Sequence, residues 1–237
     1  MKKILFMILL ILHCSTSPTG RKRVIYGVTD TEINLMGIKA FNDLKSKAPI
    51  ESNRKINNYI FCVTNSILES IKEDTENKGW EIVVLKDANP NAFALPGGKI
   101  IINSGILKVA NTNDELATVL GHEIGHIIAK HSKESMSHID LMEKAMEIVN
   151  NVTDDNEIVQ EVMNQGAKYL IILPFSRLHE LEADELGIVY MSKAGFDPRQ
   201  SIQFWKKFAL ISKSQSAKLF STHPSDESRI KNLEDKM

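Results

Sequence analysis

A chain of 237 residues, 43% of them hydrophobic and 25% charged, is long enough to bury one hydrophobic core, and we expect a single folded domain. The formal net charge is only −1, which gives no electrostatic reason to expect a nucleic-acid partner. Composition and charge therefore favour a globular protein and argue against nucleic-acid binding.

The N-terminus has the layout of a signal peptide, which we assign to residues 1–14. Two lysines precede an apolar run, residues 4–12, and Cys14 follows it. The run is less than half of the roughly 20 residues that span a bilayer as a helix, so we expect no permanent membrane helix here. Cys14 resembles the acylated cysteine of bacterial lipoproteins, and the alternative is an ordinary signal peptide cut nearby. Residues 15–28 are predicted to be a linker and residues 29–237 the single domain.

The first half of the domain is predicted to be two helices followed by strands. One helical pattern begins after Thr29 and ends at Pro49, and a second covers about residues 53–76. Within the second helix, Cys62 stands among apolar residues, and we expect it in the core. Short apolar runs with tight turns then indicate strands at 80–85, 92–95 and 99–103.

The second half is predicted to be helical. Thr112 and Glu115 form a capping-box pattern at the start of a long helix, and a further helical stretch covers residues 132–169. A later helix begins after Ser176 and ends at Gly195.

The long helix contains the pattern H-E-x-x-H at His122, Glu123 and His126. Residues four apart project from one face of a helix, so the two imidazoles can bind one zinc ion, and Glu123 can act as general base on the zinc-bound water. Gly121 and Gly125 each cost roughly 1 kcal/mol relative to Ala inside a helix, which indicates a close approach by something on that side. The alternative is that both histidines are ordinary core or surface residues.

The later helix carries four carboxylates within six residues, at Glu180, Glu182, Asp184 and Glu185. Glu180 and Asp184 stand four apart and would repel each other unless a cation or its histidine ligands lay against them. A third ligand from this helix would complete a His, His, Glu set with one water, which is the open arrangement of catalytic zinc. Asp184 would then hydrogen-bond a ligand histidine, whereas the alternative is a solvated charged face.

Four spaced motifs resemble those of a known peptidase family, which includes HtpX, the CAAX prenyl protease, the mitochondrial inner-membrane protease OMA and periplasmic BepA-like proteases. The motifs are Asn91-Ala92-Phe93-Ala94-Leu95-Pro96-Gly97-Gly98, His122 to His126, Ser176-Arg177 with Glu180-Leu181-Glu182-Ala183-Asp184, and Thr222-His223-Pro224 with Arg229. The resemblance implies an α+β fold: a mainly helical, zincin-like (gluzincin) metallopeptidase domain with a small antiparallel sheet beside the H-E-x-x-H helix. The chain looks similar to the small, lipoprotein-type members.

The resemblance also implies roles for single residues. It selects Glu180 rather than Glu182 as the third ligand of one Zn2+ per chain, and it offers Asp184 as a proton donor. His223 would lie near the metal, either stabilising the transition state or occupying the fourth site in a resting form. Arg229 would orient the same region and is grouped with the substrate-binding residues.

An edge strand that contains Asn91, Ala92 and Phe93 would bind substrate by strand addition, and the alternative is that this hairpin is only structural. His131 and His179 flank the motifs, and we expect them at the surface or beside the ligands. Trp205 lies on an apolar helical stripe and is expected in the core.

These inferences predict a zinc-dependent endopeptidase that hydrolyses protein or peptide substrates by a zinc-bound water activated by Glu123. The resemblance implies unfolded or misassembled cell-envelope proteins as substrates, and a location on the periplasmic side of a bacterial envelope membrane with a lipid anchor on Cys14. The alternatives are a dormant protease, gated by His223 or by the 132–169 segment, and a metal-dependent chaperone-like binding module. The sequence predicts no oligomeric state.

Overall fold

The computed structural model describes residues 13–75, 79–152, 176–214, 223 and 227–237. Most of these residues are helical, and the strands among them form two small sheets, so the predicted mainly helical α+β fold is confirmed. In chain order the elements are β1 (His13–Thr16), β2 (Lys22–Ile25), α1 (Asp30–Lys47), α2 (Arg54–Ser70), α3 (Lys72–Thr75), β3 (Glu81–Leu85), β4 (Ala92–Leu95), β5 (Lys99–Asn103), a 3-10 helix (Ser104–Lys108), α4 (Asn113–Ile128), α5 (His131–Val152), α6 (Arg177–Lys193), α7 (Gln200–Ser214) and α8 (Glu227–Lys236).

Helices α1 and α2 begin where the sequence predicts, at side-chain caps. The Thr29 hydroxyl accepts a hydrogen bond from the backbone N–H of Glu32, and the Glu32 carboxylate accepts one from the backbone N–H of Thr29. Helix α2 starts after Asn53, whose side chain accepts a hydrogen bond from the N–H of Lys55. These local bonds satisfy amide groups that the first turn of a helix leaves without partners.

Helix α2 ends at Ser70 rather than near residue 76, and the short α3 follows it. Cys62 is exposed, so the core placement predicted for it is wrong. The reason is that the buried face of α2 runs through Ile60 and Ile67, whereas Cys62 lies on the opposite side of the helix.

The three-stranded sheet has the order β3-β5-β4. Strands β4 and β5 pair antiparallel across a turn in which Gly97 and Gly98 have φ angles of +81° and +74°. Strand β3 pairs parallel with β5, so the predicted small sheet is present but mixed rather than antiparallel throughout. The parallel pair arises because residues 86–91 take the chain to the far edge of the sheet, and β5 then returns between β4 and β3.

Strand β5 lies at the centre of the core, and each of its residues is buried. Its side chains alternate between faces: Ile100 and Ile102 belong to the large cluster formed with α2 and α4, whereas Ile101 packs with Phe41 of α1. Both faces of the sheet are therefore covered by helices, and α4 is held against one of them.

The segment 15–28, predicted to be a linker, instead contains most of a β-hairpin that packs against the domain. Strands β1 and β2 pair antiparallel, and Arg21 between them forms ion pairs with Glu134 and Glu182. The linker prediction is corrected because these partners lie 113 and 161 residues away, where no local pattern indicates them.

Residues 1–12 and the side chain of Cys14 lie outside the described part of the chain, so the signal peptide stays a prediction. The predicted helical stretch 132–169 corresponds to α5 as far as Val152, and its remainder also lies outside the described residues. Over the described ranges, no helix combines the length and the apolar character that crossing a bilayer requires.

Candidate metal centre

Helix α4 carries both histidines of the H-E-x-x-H motif in the protein interior. The Thr112 hydroxyl caps its start by accepting the N–H of Glu115, but the Glu115 carboxylate accepts the N–H of Asn111, so the predicted capping box is only half formed. His122 and His126 are each 2% exposed, and their Nε2 atoms lie 3.0 Å apart. Two buried ring nitrogens at this separation favour a shared proton or a metal ion between them.

Helix α6 lies directly against α4 because glycines remove the side chains at the crossing. A Cβ atom on Gly121 would lie 2.9 Å from the carbonyl oxygen of Gly187, and a Cβ atom on Gly125 would lie 2.9 Å from that of Ala183. The close approach expected at Gly121 and Gly125 is therefore present, and the neighbour is the backbone of α6. This contact brings Glu180, in the first turn of α6, beside the two histidines.

Four side chains converge at this point: His122, His126, Glu180 and His223 each place one donor atom within 4.8 Å of the others. His126 Nε2 lies 3.3 Å from Glu180 Oε1, and His122 Nε2 lies 3.4 Å from Glu180 Oε2. His223 Nδ1 lies 3.2 Å from His122 Nε2 and 3.1 Å from Glu180 Oε1. Ligands bound about 2.0–2.1 Å from a tetrahedral cation lie about 3.3 Å from one another. The donor types and their spacing therefore fit a metal ion.

Glu180 is held in the ionised form, which is the form that binds metals. Burial alone would raise the pKa of Glu180, but His122, Arg229 and His223 outweigh it and hold that pKa well below its usual range. Among the described residues, Glu180 Oε2 accepts no aligned hydrogen bond, although Arg229 Nη1 lies 2.8 Å from it as an ion pair. This oxygen is therefore a buried acceptor suited to a cation.

His122 is oriented from behind by Asp184. His122 Nδ1 lies 2.9 Å from Asp184 Oδ1, and Arg229 donates hydrogen bonds of 2.7 Å to both oxygens of Asp184. A carboxylate on the second ring nitrogen is the usual partner of a metal-binding histidine, and it leaves Nε2 for the metal. Burial opposes a charge on His122, but Glu180 and Asp184 outweigh burial and raise its pKa to about 9. The electrostatics thus favour a cation, either a proton or a metal ion, at His122.

Asp184 was predicted either to orient a histidine or to donate a proton, and its surroundings favour the first role. Burial opposes ionisation, but the Arg229 guanidinium outweighs it and lowers the pKa of Asp184. An ionised carboxylate whose oxygens already accept three hydrogen bonds has no proton to donate.

Glu123 is 2% exposed and lies next to the four donor residues. The backbone N–H of Ala94 in β4 hydrogen-bonds its carboxylate, and Oε1 lies 3.4 Å from His223 Nε2. Within the described residues, Oε2 has no hydrogen-bond partner. Burial raises the pKa of Glu123, while His223 and His122 oppose that shift. A buried carboxylate with a raised pKa is suited to accept a proton.

His131 contacts His126, a candidate metal ligand. The sequence predicted for His131 a position either at the surface or beside the ligands. Its Nδ1 lies 2.9 Å from His126 Nδ1, its Nε2 lies 3.1 Å from Glu182 Oε2, and its ring stacks on His179. Burial is the main cause that lowers the pKa of His131 to about 4, so the ring is neutral at pH 7. The chain turns between α4 and α5 with Lys130 at φ +58°, and helical spacing from His126 therefore does not apply to His131.

The residues predicted to bind substrate lie in two places. Ala92 is fully buried in β4, Phe93 is half-buried against Phe41 and its neighbours, and Asn91 is half-buried just before the strand. Arg229 is 2% exposed, and its guanidinium contacts Asp184, Glu180 and the face of Trp205, 3.8 Å from the ring centroid. This geometry favours the orienting role of Arg229 over a contact with substrate. Trp205 is buried as predicted, but it also packs against His122.

An open cleft of about 210 Å3 begins at His126 and extends along the turn after β4. Its walls include Asp30, Ile33, Asn34, Ala94, Pro96, Gly97, Gly98, His126, Ile127, Lys130, Ser132 and Lys133. The cleft therefore joins the edge of the sheet to the candidate metal ligands.

Comparison with known proteins agrees with the motif pattern and the site. Residues 55–237 match the profile of peptidase family M48, which is more than half of the chain. The chain belongs to this family. The resemblance inferred from the four motifs is confirmed, and the matched region contains the family-type motifs of α4 and α6 as well as His223 and Arg229.

Several relatives of this chain have names that describe peptidases. Mitochondrial metalloendopeptidase OMA1 of Saccharomyces cerevisiae is 37% identical over 179 residues, which cover 72% of this chain and 49% of that protein. Metalloprotease LoiP of Escherichia coli is 24% identical over 215 residues, 90% of this chain and 83% of LoiP. Beta-barrel assembly-enhancing protease of Yersinia pestis is 25% identical over 205 residues, 82% of this chain and 42% of that protein. The chain spans about half the length of the yeast OMA1 that it matches.

Proposed function

We propose that the protein is a zinc-dependent endopeptidase in which Glu123 is the general base. One observation carries this proposal: the donor atoms of His122, His126 and Glu180 converge beside Glu123, a buried carboxylate with an oxygen that no described group hydrogen-bonds. A module that only binds proteins has no need of a base at this position. The arrangement therefore favours cleavage over chaperone-like holding.

The chemistry divides between the metal and the side chains. Zinc bound by the two histidines and Glu180 would act as a Lewis acid toward the peptide carbonyl and lower the pKa of a water molecule to about 7. Glu123 accepts the proton of the attacking water and delivers it to the amine as the C–N bond breaks. Asp184 keeps the His122 ring in the tautomer with its proton on Nδ1. His223, beside Glu123 and Glu180, is placed to stabilise negative charge that develops on the substrate.

The proposed substrate is an extended peptide that lies beside β4. This strand is at the edge of the sheet, and the cleft runs from its end to His126. An extended peptide gains backbone hydrogen bonds by adding to such an edge, so segments of unfolded proteins would bind best. Asn91, Ala92 and Phe93 would act through the strand backbone, because the Ala92 side chain is fully buried.

Cell-envelope proteins are the proposed source of these segments. The Yersinia pestis relative is named for β-barrel assembly, and LoiP of Escherichia coli is named a metalloprotease. We place the protein on the periplasmic side of a bacterial envelope membrane, with a lipid on Cys14 as its proposed anchor. The signal-peptide layout of residues 1–14 supports this placement.

A gated form of the same enzyme is the second candidate, and the position of His223 favours it. His223 Nδ1 lies as close to His122 Nε2 and Glu180 Oε1 as those ligands lie to each other, which is the position of a fourth ligand. In that form His223 would occupy the place of the water until a substrate or partner displaced it.

The test is zinc content and casein cleavage by the chain from Ser15 onward. We expect one zinc per chain in the wild type and in Glu123→Gln, with activity of Glu123→Gln reduced about 10²- to 10⁴-fold because the base is lost. Glu180→Ala should lose zinc, whereas the control Glu185→Ala, on the same helix but paired with Lys236, should keep it.

Full zinc occupancy in Glu180→Ala would refute the assignment of Glu180 as the third zinc ligand. Cleavage by Glu123→Gln at the wild-type rate would refute the assignment of Glu123 as the general base. If the wild type binds zinc without cleaving and His223→Ala cleaves, the gated form is correct. If neither the wild type nor His223→Ala cleaves casein, but both retain unfolded casein while zinc is bound, the binding-module alternative is correct.

A further inference from the structure

An ionic cluster connects the N-terminal hairpin to α5 and α6. Arg21 Nη1 and Nη2 donate to the two oxygens of Glu134 at 2.8 and 2.7 Å, and Arg21 Nε donates to Glu182 Oε2 at 2.7 Å. The Arg21 side chain is 20% exposed, whereas the side chains of Glu134 and Glu182 are 4% and 3% exposed. A planar guanidinium that makes paired bonds fixes the direction of its carboxylate partners as well as neutralising charge. Glu182 receives one bond from Arg21, and the hydroxyl of Thr19, in the same hairpin, donates to Glu182 Oε1 at 2.7 Å. Arg21 therefore supplies the charged one of the two hairpin contacts that hold the Glu182 carboxylate.

From Glu182 the hydrogen bonds continue to the candidate metal centre. Glu182 Oε2 lies 3.1 Å from His131 Nε2, and His131 Nδ1 lies 2.9 Å from His126 Nδ1. The His131 ring is fully buried and stacks on His179 with ring centroids 4.4 Å apart. Contacts on both nitrogens and on one face leave the His131 ring a single orientation.

The protons along this path have only one consistent arrangement when His126 binds a metal through Nε2. The neutral His126 ring then carries its proton on Nδ1 and donates it to His131 Nδ1. His131 in turn carries its proton on Nε2 and donates it to Glu182. Asp184 orients His122 by a direct contact with its Nδ1. Glu182 orients His126 in the same way, but through the imidazole of His131, which lies between them.

We infer that Arg21 is a positioning residue of the metal centre: it holds Glu182, Glu182 holds His131, and His131 sets the ring orientation and tautomer of His126. The inference rests on the proposed zinc site. Arg21 precedes residues 55–237, so it lies outside the region that matches the peptidase family. The N-terminal hairpin then helps to position the ligands of the metal centre and is not only a linker.

Other contacts hold the hairpin in place when Arg21 is changed. Arg23 Nη1 donates to the carbonyl oxygen of Ala129, at the C-terminal end of α4. Gly27 lies so close to α5 that a Cβ atom there would overlap the Asp140 carboxylate. A substitution of Arg21 should therefore remove its effect on Glu182 without releasing the hairpin.

The experiment is a double-mutant cycle on metal affinity with the chain from Ser15 onward. Zinc dissociation constants are measured by competition with a chromophoric chelator, and the visible spectrum of the cobalt-substituted protein reports the ligand geometry. The variants are Arg21→Met, His131→Phe and their combination, with Lys22→Met as the control, since exposed Lys22 carries the same charge on the same hairpin but contacts Thr16. Circular dichroism and the unfolding midpoint of the metal-free proteins check that each variant folds.

We expect Arg21→Met and His131→Phe each to weaken zinc binding about 10- to 100-fold and to change the cobalt spectrum. The combined variant should bind zinc no more weakly than His131→Phe, because Arg21 acts through His131. Lys22→Met should match the wild type. If Arg21→Met does not fold, Arg21→Lys, which keeps the charge but not the paired N–H groups, should show the weaker binding instead.

Wild-type affinity and spectrum in Arg21→Met, or in Arg21→Lys where that variant replaces it, would overturn the inference. Additive losses in the combined variant would also overturn it, since the two residues would then act separately. These results differ from failure of the proposed function, in which the wild type itself binds neither zinc nor cobalt at this site.

Discussion

Glu134 illustrates how partners decide the charge of a buried carboxylate in this protein. Burial alone would raise its pKa, but the hydrogen bonds from Arg21 and His179 outweigh burial and lower that pKa to about 2. The same balance keeps Glu180 and Asp184 ionised beside His122, whereas burial is the stronger influence on Glu123. The pKa values of these buried carboxylates therefore shift in different directions because their partners differ.

The low pKa of Glu134 predicts a loss of stability in acid. A group whose pKa falls from 4.5 to about 2 on folding stabilises the protein above pH 4.5, and this contribution disappears as the pH falls from about 4.5 to about 2. In metal-free protein, Glu134→Gln should therefore unfold at lower urea concentration than the wild type at pH 6, with a smaller difference at pH 3. The control is Glu73→Gln, which removes the same charge from an exposed position on α3. A difference that stays constant between pH 6 and pH 3 would contradict this explanation.

At the scale of elements, the crossing of α4 and α6 builds the site. Glycines on both helices allow backbone contact, and this contact sets the distance between His122 and His126 on one helix and Glu180 on the other. The short strand β4 also contributes, because the backbone N–H of Ala94 hydrogen-bonds the Glu123 carboxylate. The geometry of the centre thus depends on how closely α6 and β4 each pack against α4, and no single element determines these two distances.

Gly121→Ala tests the crossing of α4 and α6. Alanine is favoured over glycine by about 1 kcal/mol in an exposed helix, but here its Cβ would lie 2.9 Å from the carbonyl oxygen of Gly187. We expect a net destabilisation of about 1–3 kcal/mol in urea unfolding, because the helices must separate. Val189→Ala, at a position of α6 that is 43% exposed, should change stability by less than about 0.5 kcal/mol. An increase in stability for Gly121→Ala would show that the crossing is not tightly packed.

For the molecule as a whole, distant segments of chain meet at one buried centre. The N-terminal hairpin, α4, α6, His223 and α8 each supply a group to the centre or to its hydrogen-bonded surroundings. Such a centre cannot form in the unfolded chain, so the free energy of metal binding contributes to the stability of the folded state. The metal is therefore expected to be a tertiary cross-link as well as a cofactor.

Zinc should consequently raise the free energy of unfolding. At a free zinc concentration 1,000 times the dissociation constant, the expected increase is about 4 kcal/mol, measured as a shift of the urea midpoint against protein treated with chelator. Glu180→Ala should show little of this shift, and magnesium, which prefers six oxygen ligands, should cause none in the wild type. Equal stabilisation of the wild type and Glu180→Ala would place the bound zinc elsewhere.

The sequence by itself determined the features that depend on neighbouring residues. The caps at Thr29 and Asn53 and the positions of β3, β4 and β5 follow from short-range hydrogen bonds and from alternation along the chain. The H-E-x-x-H spacing places two histidines on one helix face whatever the surrounding fold is. The close approach at Gly121 and Gly125 was also predictable, because glycine inside a helix is unfavourable without a packing reason.

Only the tertiary structure decided the features that depend on residues far apart in the chain. The parallel pairing of β3 with β5, the docking of residues 15–28 through Arg21, the contact of His131 with His126 and the burial of Arg229 against Asp184 are of this kind. Each joins groups whose separation in sequence carries no local signal. The sequence of the hairpin predicts a linker because the carboxylates that bind Arg21, those of Glu134 and Glu182, belong to α5 and α6. These two carboxylates come together only in the folded protein.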